Sequence, residues 1–233
     1  MFLRLVTLFF TTLLFLLASG RAQAADYPDV TFEYSPIFNS TCAEITKQPI
    51  DAAAVTELEN RLDSFREQWR KEAPQLLGTT VKLTKARFQF RETKAALSLC
   101  FGFPSISLPL IINMRFYLKS LRGDKAAPMT RFSRTVFHEV LHRYVNDRIE
   151  TLPGKTTPLL TKYRDEPQVV QNHLHVGAIM KTVYAKLGRE KDLEEDSVVE
   201  QTLKRSAPAI KRAQEIVDKE GAENFISEIR KSR

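Results

Sequence analysis

The chain has 233 residues, of which 43% are hydrophobic and 27% charged, a balance that can build a core and excludes a wholly disordered protein. Its 35 basic residues against 28 acidic ones make it mildly basic. The charge is not gathered into a basic stripe with interleaved aromatics, so nucleic acid is excluded as the expected partner and the surface reads as mixed and solvated.

The first residues read as an address. Met1 to Arg4 carries one positive charge, Leu5 to Leu17 is apolar apart from threonines, and Ala22-Gln23-Ala24 offers a small-x-small cleavage site. That is the pattern of a secretory signal peptide over residues 1–24. The apolar run is shorter than the ~20 residues of a membrane span, so no stable membrane insertion is expected after cleavage. Cleavage removes two arginines and no acid, leaving a net charge of +5. Residues 25–233 are expected to form one exported domain, periplasmic or extracellular. Cys42 and Cys100 then meet an oxidising compartment, where an even count favours a disulfide over two separately buried thiols.

Residues 25–50 read as irregular, with Pro28, Pro36 and Pro49 as breakers. Asp51 is the expected N-cap of a helix from Ala52 to about Ala73, with Val55, Leu58, Leu62, Phe65 and Trp69 at helical spacing. Pro74 and Gly78 are expected to end it. Val81, Leu83, Ala86, Phe88 and Phe90 alternate with Lys82, Lys85, Arg87, Gln89 and Arg91, the pattern of a half-buried strand. A second strand is expected from Ala95 to Phe101, and a third from Ile106 to Leu118 after a turn at Gly102 and Pro104. Pro109 keeps the start of the third out of a central, fully paired position. That segment is the candidate sheet edge, along which an extended peptide could pair, with a plain core strand as the equal alternative.

A helix from about Thr130 to Ile149 follows a loop at residues 122–128, with Phe132, Val136, Val140, Leu141, Tyr144 and Val145 at its period. A loop covers residues 151–166. Asp165-Glu166-Pro167 opens the next helix, which Gly188 caps after about Leu187. Beyond a charged break at 189–196, amphipathic helices from Ser197 to about Glu228 read as a peripheral cover over residues 197–233.

The helix at 130–149 carries His138-Glu139-Val140-Leu141-His142, the pattern H-E-x-x-H. Histidines four apart stack on one helix face, so both imidazoles can reach one ion, and the glutamate between them can hold a water on it. The chain has two further histidines, His173 and His175, both on the next helix. Four hundred residue-degrees of helix separate Val169 from His173, which falls inside the apolar arc of Val169, Val176, Met180, Val183, Tyr184 and Leu187. His175 falls on its far flank, facing solvent or a loop.

The motif resembles that of the zinc metallopeptidases of the zincin type. The order of helix, three strands, helix and helix over residues 81–187 resembles the zincin core. The fold class implied is α+β: a small, mostly antiparallel sheet packed on the H-E-x-x-H helix. The resemblance implies Zn2+ held by His138, His142 and a third ligand, with Glu139 as general base and a peptide or protein as substrate. The metzincin extension would need a histidine at position 148, which is Arg148. His173 is the favoured third ligand because it lies on the inward arc. His175 and the acids Glu166 and Asp165 stay open, Glu166 being the gluzincin-like choice. Tyr144, Tyr163 and Arg164 are near enough in sequence to help with developing negative charge. The alternative function is a non-catalytic zinc- or ligand-binding envelope protein on the same scaffold.

Overall fold

The computed structural model describes residues 26–102, 104–149, 156–194 and 207–232. The expected signal peptide and the start of the expected C-terminal cover lie outside them. The architecture is α+β, with a four-stranded mixed sheet and a helical layer.

Strand β1 (Asp29–Tyr34) buries Val30 and Phe32 and exposes the residues between them. Helix α1 (Pro36–Thr46) follows directly, with the Ser35 hydroxyl accepting the Phe38 N–H as its N-cap. Neither element was expected in a segment read as irregular. Helix α2 (Ala52–Thr84) starts as expected, with Asp51 Oδ1 accepting the Ala54 N–H at 2.9 Å. It does not end at Pro74. A proline inside a helix loses one hydrogen bond at a cost of about 3 kcal/mol. Here Leu76, Leu77, Thr80, Leu83 and Thr84, all buried at helical spacing, outweigh that loss. The expected strand at 81–91 is therefore a correction. Residues 81–84 finish the helix, and residues 85–91 lie outside any helix or strand. The alternation there read burial rightly, since Ala86, Phe88 and Phe90 are buried and their neighbours exposed.

Strand β2 (Glu92–Ser98) is central, beside β1 on one side and β4 (Leu110–Asn113) on the other. The edge strand β3 (Ile106–Ser107) folds back on β4, with Ile106 opposite Ile111 and Ser107 opposite Leu110. The third expected strand, Ile106–Leu118, is thus broken at Pro109 into this short hairpin and then ends in a 3-10 turn, Met114–Phe116. The sheet order is β1-β2-β4-β3. The β1–β2 and β2–β4 pairs are parallel and the β3–β4 pair alone is antiparallel. The expectation of a mostly antiparallel sheet is corrected. Long crossovers through α1 and α2, and through the 99–109 segment, return the chain to the same end of the sheet each time.

The remaining long helices are α3 (Met129–Ile149), α4 (Gln168–Lys186), α5 (Ala207–Glu220) and α6 (Ala222–Lys231). Phe132 of α3 packs against Phe65 of α2 and Phe32 of β1, with ring centroids 4.9 and 5.3 Å away, and this aromatic knot fixes α3 on the sheet. Cys42 and Cys100 form the expected disulfide, tying α1 to the segment after β2. No described helix is long and apolar enough to cross a membrane.

Glu57 of α2 anchors the helical turn Lys119–Arg122 that leads toward α3. Its carboxylate accepts the N–H groups of Lys119 at 2.9 Å and Ser120 at 2.7 Å, and Arg61 donates to it at 2.6 Å. Burial pushes its pKa up, but the Ser120 and Lys119 N–H groups, the Ser120 hydroxyl and Arg61 outweigh burial and hold it at about 2. A carboxyl depressed in the folded state contributes stability above its unfolded pKa and loses that contribution as pH falls toward the folded value. Glu57→Gln is expected to cost about 1–2 kcal/mol at pH 7, allowing for its partial exposure, and to flatten the loss of stability between pH 4.5 and 2. Urea midpoints across that range read this directly, and an unaltered acid limb in the variant contradicts it.

Candidate metal centre

Helix α3 buries Phe132, Val136, Phe137, Val140, Leu141, Tyr144 and Val145, a broad stripe at helical spacing. Tyr144 locks the helix one half-turn past His142. Its hydroxyl donates to the Ala86 carbonyl at 3.0 Å and lies 2.7 Å from the Thr84 hydroxyl. Tyr144 therefore serves the packing of α3 on α2.

Helix α4 is buried on two flanks. Val176, Ile179, Met180 and Val183 join the main core with α2 and α3. Val170, Leu174 and Ala178 join a second core with Ala213, Ile216, Val217 and Phe225 of α5 and α6. His173 falls on the first flank and His175 on the second.

The packing of α3 against α4 brings His138, His142 and His173 together. One ring nitrogen from each lies within 4.8 Å of the others, in the only such group among the described residues. Ring centroids are 4.6 Å apart for His138 and His142, 5.2 Å for His138 and His173, and 4.6 Å for His142 and His173. His138 Nε2 and His142 Nε2 are 3.0 Å apart, close to the roughly 3.3 Å expected for two imidazoles bound tetrahedrally at 2.0–2.1 Å.

The contacts of the other ring nitrogens set which atoms could face a metal ion. His173 Nδ1 lies 2.6 Å from the Val169 carbonyl, which can only accept, so the proton is on Nδ1 and the Nε2 lone pair is free. His138 Nδ1 lies 3.3 Å from the Met180 sulfur, again an acceptor, and this likewise frees Nε2. Such outer contacts fix ring orientation and tautomer in metal sites.

The electrostatics favour neutral ligands. Burial, then the neighbouring His142 and His173, holds the His138 pKa well below its usual value. Burial, then His173, lowers His142 to about 3. Burial also lowers His173, against the opposing pull of the Val169 carbonyl. All three present lone pairs at neutral pH, as metal binding requires. Burial pushes the Glu139 carboxyl up to about 8. A cation held beside it would draw it back toward the carboxylate.

The other candidates are placed elsewhere. His175 is 1% exposed, not solvent-facing, and its Nε2 is 2.8 Å from Glu228 Oε2 of α6. Its ring meets Phe225 edge-on. The expectation assumed one inward face on α4, and the second core gives it two. Glu166 pairs with Arg212 at 2.6 Å, and the side chain of Asp165 is exposed beside Arg164. The Tyr163 hydroxyl is 2.6 Å from Glu220.

Beside Glu139 the side chains of Phe90, Thr93, Ser107, Leu110 and Arg143 close around a gap too narrow to hold a water. Sequence reasoning did not reach Arg143 or the role of Met180. Their signals were present: Arg143 is one helical turn from Glu139, and Met180 lies on the His173 face of α4.

No protein-family model, no curated protein and no solved structure matches the chain.

Purified protein titrated with zinc is expected to bind one ion per chain, and His173→Ala to weaken that binding at least tenfold. His175→Ala is expected to keep the stoichiometry but to lose about 2–3 kcal/mol of stability, because it removes a buried ring packed on Phe225 and one partner of Glu228, which keeps the Leu159 N–H. Metal analysis beside denaturant unfolding separates the two. Equal loss of metal from both variants would contradict the assignment.

Proposed function

We propose that this chain is an exported zinc metallopeptidase of the zincin type. The observation that carries the reading is the convergence of three neutral imidazoles from two helices, next to a glutamate buried without an ion-pair partner. The disulfide and the lack of a membrane-length helix among the described residues are compatible with export. The donor set fits zinc: three imidazoles hold the ion and leave one position open, as catalytic zinc sites do.

A zinc ion held by His138, His142 and His173 would supply Lewis acidity toward a carbonyl and a water. Glu139, beside them, would act as the base that accepts a proton and returns it to the leaving amine. His138, His142 and His173 stay neutral and fixed, oriented by Met180 and Val169. The short edge strand β3 sets Ser107 close to Glu139. An extended peptide paired along that edge would run past the Glu139 carboxyl.

Glu139→Gln is expected to retain one zinc per chain and to lower kcat/KM on peptides by about 10²–10⁴. Turnover that survives the substitution would remove Glu139 from the mechanism. Bound zinc with no turnover by the unaltered chain would leave the non-catalytic reading in its place.

A further inference from the structure

We propose that α1 is the surface on which a second copy of this chain docks, the two α1 helices crossing antiparallel at Thr41. The inference is independent of the metal centre and of the peptidase reading.

The large hydrophobic side chains that escape burial are concentrated in one place. Ile37 is 81% exposed, Ile45 70%, Phe101 52% and Phe38 37%. All but Phe101 belong to α1. Phe101 follows Cys100, which the disulfide joins to Cys42, and Phe38 and Ile45 lie one turn to either side of Cys42. The bridge therefore brings Phe101 to the helix. At about 100° per residue, with Phe38 at the origin, the buried Cys42 and Asn39 fall at about +40° and +100°. Ile45, Thr41 and Ile37 fall at about −20°, −60° and −100°, and form the outward ridge.

What covers this face follows from its pattern. A helix that lies on lipid carries lysine or arginine on its polar face, and Pro36–Thr46 has neither. Its one charged residue is Glu44, at about −120° on the border of the ridge. The ridge is instead self-complementary. Ile37, Thr41 and Ile45 are spaced by four, the row that packs against its like at a crossing of about 50°. A two-fold axis at Thr41 sets Ile37 of each copy beside Ile45 of the other, and the short threonine at the crossing lets the helix axes approach. Such a contact is isologous and closes after two chains. An apolar centre with charge only at its rim is the anatomy of a protein interface. Here the rim holds Glu44 and Arg115, whose guanidinium carbon is 5.2 Å from the centre of the Phe101 ring. Four exposed side chains from each copy, with the atoms around them, would bury on the order of 1,000 Å² in total, the low end for a specific contact, so the dimer is weak.

Sedimentation velocity of the purified chain from about 1 to 500 μM tests this, with a dissociation constant on the order of 10–100 μM expected. Ile37→Glu and Ile45→Glu each put a carboxylate into the apolar centre and are expected to weaken association about tenfold or more. Both positions are exposed, so the melting temperature of the monomer and the Cys42–Cys100 disulfide should be unchanged. Ile37→Glu combined with Ile45→Lys in one chain is expected to recover association to within about threefold of the parent at low salt and to lose it at high salt. The antiparallel crossing places each new carboxylate beside the other copy's new ammonium. A parent that stays monomeric throughout overturns the proposal, as does one whose association survives both single substitutions. A doubly substituted chain that associates no better than the single variants overturns the antiparallel crossing at Thr41. Flotation with phosphatidylglycerol vesicles by a chain that remains monomeric assigns the face to lipid and overturns the proposal too.

Discussion

The contact between α3 and α4 is the constraint on which the candidate centre depends. Val136 and Val140 on one helix, with Val176, Ile179 and Val183 on the other, are buried in one core. Each such side chain contributes about 1.5–3 kcal/mol when it leaves water. The three histidines ride at the margin of that apolar contact. His138 Nε2 and His142 Nε2 are 3.0 Å apart, and a neutral imidazole keeps one N–H, so one ring can donate to the other. The surrounding core positions the three rings, and the group could hold a metal ion.

Much of this was legible in the residues, and the gaps have physical causes. Asp51 marked the start of α2, Pro167 the start of α4, and helical spacing placed His138, Glu139 and His142 on one side of α3. The arc of apolar residues on α4 favoured His173, and the structure brings it to the pair. Pro74 misled because a single missing hydrogen bond is small beside five buried side chains after it. The direction of the sheet was not readable because β1 went unseen. Its alternation of Val30 and Phe32 with Asp29, Thr31 and Glu33 is a strand signal, masked by the prolines on either side. On its other side β2 is parallel to β4 as well, because the chain turns back through β3 before β4 pairs with it. His175 was misplaced because amphipathic reasoning assigns one buried face per helix, and α4 has two.

The charges around Glu139 are arranged asymmetrically. Neutral imidazoles lie on one flank and a permanent cation, Arg143, on the other, with an aromatic ring beneath it. Burial alone leaves the carboxyl protonated at neutral pH. A cation in the histidine cluster would favour its ionised form. Met180 contributes a subtler bias. A thioether is a weak acceptor, so His138 gains less basicity from it than a carboxylate would give.

The two-sided burial of α4 has a kinetic consequence. A surface helix can peel from its support along the side that faces water. This one is gripped by the sheet-and-helix core on one flank and by the C-terminal pair on the other. Its central amide protons are screened by both, so their exchange with deuterated solvent requires the two assemblies to part together. The rod that carries His173 is thus among the last pieces of the molecule to open.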